Sequence, residues 1–238
     1  MKAWLSIIFA FSTILPPYAI FAGDCGELVL QLGWFTATQG KSQHVNIEGL
    51  IGDDFSVNKS SDQNLLVGVG YYFKGFDVLQ TSISYGINAF YLAPTKVKGN
   101  VTQENLFTNL SYDYSVIHYP IYFAAKGLIH FWCHSDLTVD LGIGPNIVST
   151  AGFKEHSLDG GITIPDPHLF RGKNVASFSA MAGLGWRMSD LLERLSLEIN
   201  YRFFYLGSGE LKKNSNQLRN TLRTGQCYAN ALFLSISY

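Results

Sequence analysis

Charged residues are scarce in this chain, since Asp, Glu, Lys and Arg make up 15% of its 238 residues, against about 25% in an average soluble domain. The formal net charge of −1 excludes a polycation that binds nucleic acid as its main function. With 47% apolar residues, the chain also lacks the composition of a disordered protein. Only 7 Pro accompany 23 Gly, which indicates tight turns and not a Pro-rich linker. A chain of this length is expected to form one domain.

The start of the chain has the pattern of a secretory signal peptide. A basic residue follows the first Met, Trp4 to Leu15 is largely apolar, and Pro16 breaks any helix there. This apolar run is too short to span a bilayer, and the small residue Ala22 marks the expected cleavage site. The sequence therefore predicts a cleaved signal peptide over 1–22 and a single domain over 23–238.

No later window holds 18 consecutive apolar residues, so no transmembrane helix is expected. The mature chain instead alternates with a period of two, which is typical of strands. In Leu195–Tyr205 the odd-numbered residues are apolar or aromatic, and the even-numbered ones are polar except Phe204. In the last segment Asn230 is the one polar residue on the apolar face. The predicted strands lie near residues 28–35, 65–73, 79–88, 112–128, 136–144, 177–187, 195–205 and 228–238.

The two faces of these strands differ in a way that predicts a membrane barrel. One face carries large apolar and aromatic residues, and the other carries Gly, Ser, Asn, Gln and charges. Because lipid cannot satisfy free backbone groups, only closed β-structure spans a bilayer without helices. We therefore expect an all-β fold, an eight-stranded antiparallel up-and-down transmembrane β-barrel, with its apolar face toward lipid and a polar lumen. The phase of 112–128 breaks near Val116 and Ile117, and with Pro120 inside the segment this predicts a bulge.

The connections between the predicted strands alternate in length. Outer membrane barrels have short periplasmic turns and longer extracellular loops, so four long loops are expected on the outside of the cell. The short links are 74–77, 129–135 and 189–194, and the long links are 40–63, 93–105, 150–174 and 207–226.

These features together carry a resemblance to a known family. The signal peptide, the strand hairpins and the final residues Leu232-Phe233-Leu234-Ser235-Ile236-Ser237-Tyr238 resemble the small eight-stranded bacterial outer membrane barrels, the OmpA-transmembrane, OmpX and Opacity-protein group. The resemblance implies an integral protein of the bacterial outer membrane. It also implies that Leu232, Leu234, Ile236 and Tyr238 form the signal that the barrel-assembly machinery recognises. Tyr stands at the end where Phe is commoner in the family.

Six charged residues are expected to point into the lumen. Unpaired charges in a narrow, low-dielectric interior are costly, so we predict a paired network centred on Glu198, Asp140, Arg187 and Arg202. An eight-stranded barrel has an interior that side chains just fill, which favours a structural plug over a gate or proton path. The six residues are Lys126, Asp136, Asp140, Arg187, Glu198 and Arg202.

The cysteines and histidines predict little chemistry. Cys25 and Cys133 both lie at the predicted periplasmic end, where a disulfide between them is possible. His130, Cys133 and His134 lack the second ligand pair of a zinc site, so we expect an interfacial turn, no bound metal and no cofactor. Glu155-His156-Ser157 are adjacent and cannot easily converge as a catalytic triad.

Function is expected to depend on the long loops. The loop 207–226 carries a basic patch of Lys212, Lys213, Arg219 and Arg223, suited to lipopolysaccharide phosphates or an acidic host ligand. The acidic loop 40–63 can also pair with this patch and leave no ligand site. We expect a non-enzymatic protein of envelope integrity, adhesion or host contact, whose partners are outer membrane lipids. A narrow channel for ions or small solutes is the alternative, followed by a lipid A-modifying enzyme.

Overall fold

The computed structural model describes residues 26–132, 135–166, 168–192 and 195–238. They fold into twelve strands, and no helix among them is long and apolar enough to cross a membrane. The predicted signal peptide, Cys25, Cys133 and His134 lie outside the described residues. The strands are β1 (Gly26–Thr38), β2 (Gln43–Val45), β3 (Asp53–Lys59), β4 (Ser61–Val78), β5 (Thr81–Gln103), β6 (Phe107–Trp132), β7 (Ser135–Ser157), β8 (Phe170–Arg171), β9 (Lys173–Leu192), β10 (Leu195–Glu210), β11 (Lys212–Lys213) and β12 (Arg223–Ser237).

Eight long strands close into a ring. Going round the wall, the order is β1, β4, β5, β6, β7, β9, β10 and β12, and every neighbouring pair is antiparallel. β12 then pairs with β1, with Val29 opposite Ser237 and Thr38 opposite Tyr228. The prediction of an eight-stranded up-and-down barrel is confirmed.

The direction of the side chains also agrees with the alternation in the sequence. Tyr201 and Leu234 are 47% and 50% exposed on the outside of the wall. Glu198 and Arg202, on the opposite face of β10, are 3% and 1% exposed inside it. Because the outside carries a continuous belt of exposed Leu, Ile, Val, Phe, Tyr and Trp, the wall has the surface of a transmembrane barrel, in which a large apolar area faces lipid.

Two predicted connections lie almost wholly within strands, and the others are shortened by the ends of strands. Residues 74–77 lie inside β4, and the turn comes instead at Leu79, where φ is +54°. Residues 93–105 form no long loop, because β5 and β6 continue as a hairpin until a tight turn at Glu104–Leu106. The polar residues there lie on strands that extend beyond the apolar belt, where both faces no longer need to differ in polarity. The long links 150–174 and 207–226 likewise begin as strand, up to Ser157 and Glu210.

The predicted bulge lies in the neighbouring strands. In β6 the even-numbered residues stay inside from Tyr112 to Lys126, so its phase does not break. Register shifts occur in both neighbours of this part of β6, between Leu92 and Thr95 of β5 and between Lys154 and Ala151 of β7. Two residues of β5 are therefore accommodated where β6 has one.

Besides the polar residues expected in the lumen, the interior of the ring holds two apolar clusters that the sequence analysis did not predict. Phe90, Tyr122 and Phe204 pack at mid-height as part of the lower cluster, which we call the barrel core. Small residues on adjacent strands make room for these rings, since a Cβ on Gly68 would lie 2.5 Å from the Phe90 ring. The upper cluster, which we call the cap core, consists of Val45, Phe55, Val97, Val101, Leu110, Tyr112, Tyr114, Val116, Val148, Phe153, Phe170, Leu211, Leu218 and Leu222.

Candidate functional site

The charged layer lies between the barrel core and the end of the barrel with the short turns, which we call the turn end. Lys126 Nζ is 2.6 Å from Glu198 Oε2, and both side chains are almost completely buried. Thr138 Oγ1 donates a hydrogen bond to the other carboxylate oxygen, Glu198 Oε1, at 2.5 Å. The Lys126 ammonium also lies 5.5 Å from the centre of the Tyr72 ring. The charge pair is therefore enclosed by a hydroxyl and an aromatic face, as a buried ion pair requires.

A second buried pair lies directly above the first. Arg202 Nη2 is 2.7 Å from Asp140 Oδ2, and Arg202 Nη1 donates to Gln31 Oε1 at 3.3 Å. The guanidinium is held between the rings of Phe90 and Phe233, at 5.3 and 4.8 Å from their centres. This arrangement holds the Arg202 side chain across the lumen, and the side chain closes the lumen at this height.

The other two predicted lumen charges have partners that the sequence did not suggest. Arg187 is not part of the central pairs, because its Nη2 lies 2.6 Å from Glu27 Oε1 at the turn end. Asp136 Oδ1 lies 2.7 Å from His130 Nδ1, and Ser189 Oγ donates to its second oxygen at 3.0 Å. The predicted inward residues therefore form several separate pairs, stacked from the turn end to the barrel core.

Glu27 lies just before Leu28, where the sequence pattern predicts the first strand to begin, whereas β1 begins at Gly26. In β1 the odd-numbered residues Val29 and Gln31 are buried. Extending the same alternation by one residue pair places Glu27 inside. Gln31 and Asn88 are uncharged polar partners on the same inward face, and Gln31 Nε2 donates a hydrogen bond to Asn88 Oδ1 at 2.9 Å. The alternation of the sequence also places both of them inside.

Above the barrel core, at the end of the barrel with the loops, the lumen is closed again by polar and apolar groups. His118, Gln39 and Asn146 are buried, with His118 Nδ1 3.0 Å from Asn146 Nδ2 and His118 Nε2 3.3 Å from Gln39 Oε1. The cap core follows, with Phe55 packed edge-on against Tyr112 and Phe170. Side chains thus close the lumen at the barrel core and again at the cap core, whereas a cavity of about 290 Å³ lined in part by Glu27, Tyr72 and Arg187 opens at the turn end.

The loops are tied to each other across the loop end. The Glu48 amide donates to Gln217 O at 2.8 Å, and the Arg219 amide donates to Asn46 O at 2.9 Å. Between these contacts Ile47 bridges Leu218, which belongs to the cap core. Because backbone hydrogen bonds join loops 40–63 and 207–226, these loops form one surface. We use the name cap for these loops and the cap core beneath them.

The predicted basic patch is only partly available at this surface. Lys213 Nζ donates to two loop carbonyls, of Leu218 and Arg219. Arg219 and Arg223 each lie 3.9 Å from a carboxylate, of Glu48 and Glu210. Lys212 is exposed and lies opposite Arg171 of β8. Exposed pairs at such distances are weak, so the patch keeps part of its positive charge.

A cavity of about 200 Å³ opens in the cap. Its wall is mainly apolar but includes three carboxylates, of Asp53, Glu155 and Asp166. Glu155 is 7% exposed, and its Oε2 accepts the Asp166 amide at 3.0 Å. Burial is the main cause that raises the pKa of Glu155 to about 7; the hydrogen bond from the Asp166 amide lowers it, and the Asp166 and Asp53 charges add smaller increases. Burial also raises the pKa of Asp53.

The adjacent residues His156 and Ser157 do not converge. His156 Nε2 lies 3.0 Å from Asp113 Oδ1, whereas Ser157 Oγ donates to Asp159 Oδ1 at 2.6 Å. His130 has both ring nitrogens engaged, by Asp136 and by the Ser82 hydroxyl at 3.1 Å. In the part of the chain that the structure describes, no group of three His, Cys, Asp or Glu is arranged to hold a metal ion.

Three of the predicted assembly residues lie on the lipid face of β12, and the fourth, Tyr238, directly follows its last residue. Leu232, Leu234, Ile236 and Tyr238 are 43–62% exposed there. β12 is hydrogen-bonded to β1 on one side and β10 on the other. These side chains therefore lie beside the seam at which the ring closes.

No protein-family model matches the chain, and no curated protein sequence matches it. Solved structures with a similar fold include outer membrane protein OprG from Pseudomonas aeruginosa, at 12% identity over 90% of this chain and 96% of that one, with a TM-score of 0.47. The outer membrane protease OmpT from Escherichia coli has 8% identity over 91% and 97% of the two chains, with a TM-score of 0.44. Neisserial surface protein A has 9% identity over 88% and 95%, with a TM-score of 0.42.

Proposed function

We propose that this chain is a non-enzymatic integral protein of the bacterial outer membrane, which acts through its cap at the cell surface. The observation that carries the proposal is the closure of the lumen at mid-height by the Arg202–Asp140 pair and the barrel core. A lumen closed in this way favours a function carried out by the outer surfaces of the barrel. The apolar belt supports the membrane position, and the roles that fit are envelope integrity, adhesion or host contact.

The packing of the lumen argues for a plug. Arg202 lies across the lumen between Phe90 and Phe233, and its charge is compensated by Asp140. Directly above, Phe204 is completely buried. A path for ions would require these rings and the ion pair to move together, at the cost of a buried charge losing its partner.

The cap supports a role in surface contact. Its loops are joined by backbone hydrogen bonds and cover a core of their own. An ordered surface loses less conformational entropy on binding than free loops do. The residual positive charge around Lys212 and Arg171 suits an anionic partner, such as lipopolysaccharide phosphates or an acidic glycan.

Conductance measurements test the plug against a channel. The purified barrel in planar bilayers is expected to show no steady openings, and Arg202→Ala with Phe204→Ala is expected to introduce them by opening the centre. Heat-modifiable migration on gels confirms that both proteins are folded. Steady openings of the unmodified protein, altered by Glu198→Gln, would establish the channel instead.

Two further measurements test the position and the absence of enzyme activity. Protease added to intact cells is expected to cut only in the cap, for example in the segment 158–166, and to leave the wall strands uncut. Lipid A mass spectra are expected to be the same with and without the protein. A modification of lipid A that His156→Ala abolishes would show an enzyme.

A further inference from the structure

The lipid-facing wall carries a row of uncharged polar side chains across three neighbouring strands. Thr36 of β1 lies opposite Asn230 of β12 on one side and opposite Gln63 of β4 on the other. Below them, toward the turn end, the same faces carry Trp34 and Leu232, which are 67% and 62% exposed. The row therefore lies at the upper margin of the apolar belt.

On β12 the row is enclosed by apolar groups from both directions. Tyr228 follows Asn230 toward the loop end, with its ring 40% exposed and stacked on Phe203. Asn230 is thus a polar residue within the belt and not part of the cap. The alternation in the sequence singled it out for the same reason, as the exception on an apolar face.

The hydrogen bonds of this row are incomplete. Tyr201 Oη donates to Asn230 Oδ1 at 2.7 Å, which turns the amide nitrogen of Asn230 away from the tyrosine. Among the described residues, neither that nitrogen nor the side chains of Gln63 and Thr36 make a hydrogen bond to protein. Polar groups without protein partners are unfavourable beside hydrocarbon, so this row favours a polar partner from the membrane.

A cleft in the wall offers a place for such a molecule. It has a volume of about 260 Å³ and is lined by Trp34, Tyr201 and Leu232 together with the three polar side chains, above a floor of Phe35 and Ala231. No charged residue lines it. The cleft therefore combines apolar walls with amide and hydroxyl groups and has nothing to pair with a phosphate.

We propose that this cleft binds one membrane lipid through the uncharged, hydroxyl- and amide-bearing part of an acylated sugar. The depth fits, because in such a lipid these groups lie where the sugar meets the acyl chains. Asn230 donates to a hydroxyl or carbonyl of the lipid, Gln63 and Thr36 donate or accept beside it, and Trp34 packs against the ring or first chain carbons. The inference rests on the proposed membrane position of the barrel.

Lipid retention tests the site directly. The barrel is folded into phosphatidylcholine nanodiscs with either glucosylceramide, a neutral glycolipid with an amide, or phosphatidylglycerol, and the lipids retained on gentle release are counted by native mass spectrometry. The unmodified protein is expected to keep one glucosylceramide. Asn230→Leu with Gln63→Leu is expected to weaken retention about tenfold, since two hydrogen bonds are lost. The matched control is Ile143→Leu, on the lipid face away from the cleft.

Stability separates a binding site from a structural role. If Asn230 serves a lipid, Asn230→Leu removes an exposed polar group from the belt, and the barrel in plain phosphatidylcholine resists urea better while glycolipid retention falls. If Asn230 serves only to pair with Tyr201, the same change lowers stability and leaves retention unchanged, which overturns the proposal.

Equal retention of phosphatidylglycerol, or of neither lipid, also overturns it, and so does a dimer that Asn230→Leu dissolves, because the cleft is then an interface between copies. Heat-modifiable migration and insertion into the nanodiscs are scored separately. Failure there contradicts the membrane position, whereas correct insertion without retention contradicts only the lipid site.

Discussion

At the scale of the residue, Arg202 is a fully buried charge whose neighbours all come from other strands. The alternation in β10 predicts that it points inward, and the low dielectric of the lumen predicts that it is paired. Its actual partners, Asp140 and the rings of Phe90 and Phe233, depend on the relative heights of four strands. Those heights follow from register, which no single segment of sequence specifies.

Loss of the partner charge is expected to be severe. Asp140→Asn leaves the guanidinium of Arg202 buried without a countercharge, and we expect the free energy of unfolding to fall by about 3–5 kcal/mol. Urea unfolding of the barrel in micelles measures it. As a control, Glu210→Gln removes the partner of Lys173 from an exposed pair, where about 0–1 kcal/mol is expected. Equal effects of both changes would contradict the buried network.

The raised pKa of Glu155 predicts that the cap becomes less stable as the pH rises. Its pKa is about 7 in the folded cap and near the ordinary value of a glutamate when the cap opens. Because the folded pKa is raised, its contribution to stability is complete below about pH 4.3 and is lost as the pH rises through about 7. The protection factors of the amides in 158–166, which correct for the intrinsic base-catalysed exchange rate at each pH, are therefore expected to be lower at pH 8 than at pH 5. Glu155→Gln, which can still accept the Asp166 amide, is expected to remove most of this difference, and an unchanged pH dependence would assign it to another group.

At the scale of the element, the eight wall strands follow from period-two alternation where one face meets lipid. The alternation fails as a guide beyond the belt, because there both faces of a strand contact either water or protein. That is why the β5–β6 hairpin above the belt was expected to be a loop, and why the short strands β2, β3, β8 and β11 were not foreseen. The bulge in β5 illustrates the same limit, since a register shift belongs to a pair of strands.

The close approach of β6 and β7 makes a prediction for one glycine. A Cβ on Gly144 would lie 1.9 Å from the Ile121 carbonyl oxygen, a backbone atom that cannot move aside cheaply. Gly144→Ala is therefore expected to cost about 1–3 kcal/mol of unfolding free energy. Gly127→Ala is the control, because its nearest neighbour would be 3.7 Å away, and a change within about 0.5 kcal/mol is expected there. Urea unfolding measures both, and equal costs would mean that the strands are further apart.

At the scale of the whole molecule, the wall has two zones that differ in what surrounds them. The belt holds exposed apolar side chains over a closed lumen, and the cap holds its own core beneath tied loops. Fold and orientation were predictable because lipid outside and a narrow lumen inside impose opposite polarity on the two strand faces. The cap was not, since its packing depends on loops that meet only after the ring has closed.

Two leucines of similar exposure locate the boundary between these zones. Leu234 is 50% exposed in the belt, and Leu158 is 53% exposed in the cap. Leu234→Arg is expected to cost about 2–4 kcal/mol if its side chain faces the bilayer midplane, whereas Leu158→Arg is expected to change stability by about 0.5 kcal/mol or less. Unfolding in lipid vesicles measures both. A small effect at Leu234 would mean that this surface meets water.

The pairing of β1 with β12 also governs how the ring can form. The partners Val29 and Ser237 come from opposite ends of the wall sequence, so the final row of hydrogen bonds must wait until β12 has emerged from synthesis. Until then the growing sheet has two open edges, each able to recruit a strand from another molecule. Contacts of such wide sequence separation form slowly. During that interval the open edges of the sheet must be kept from pairing with other copies of the same chain.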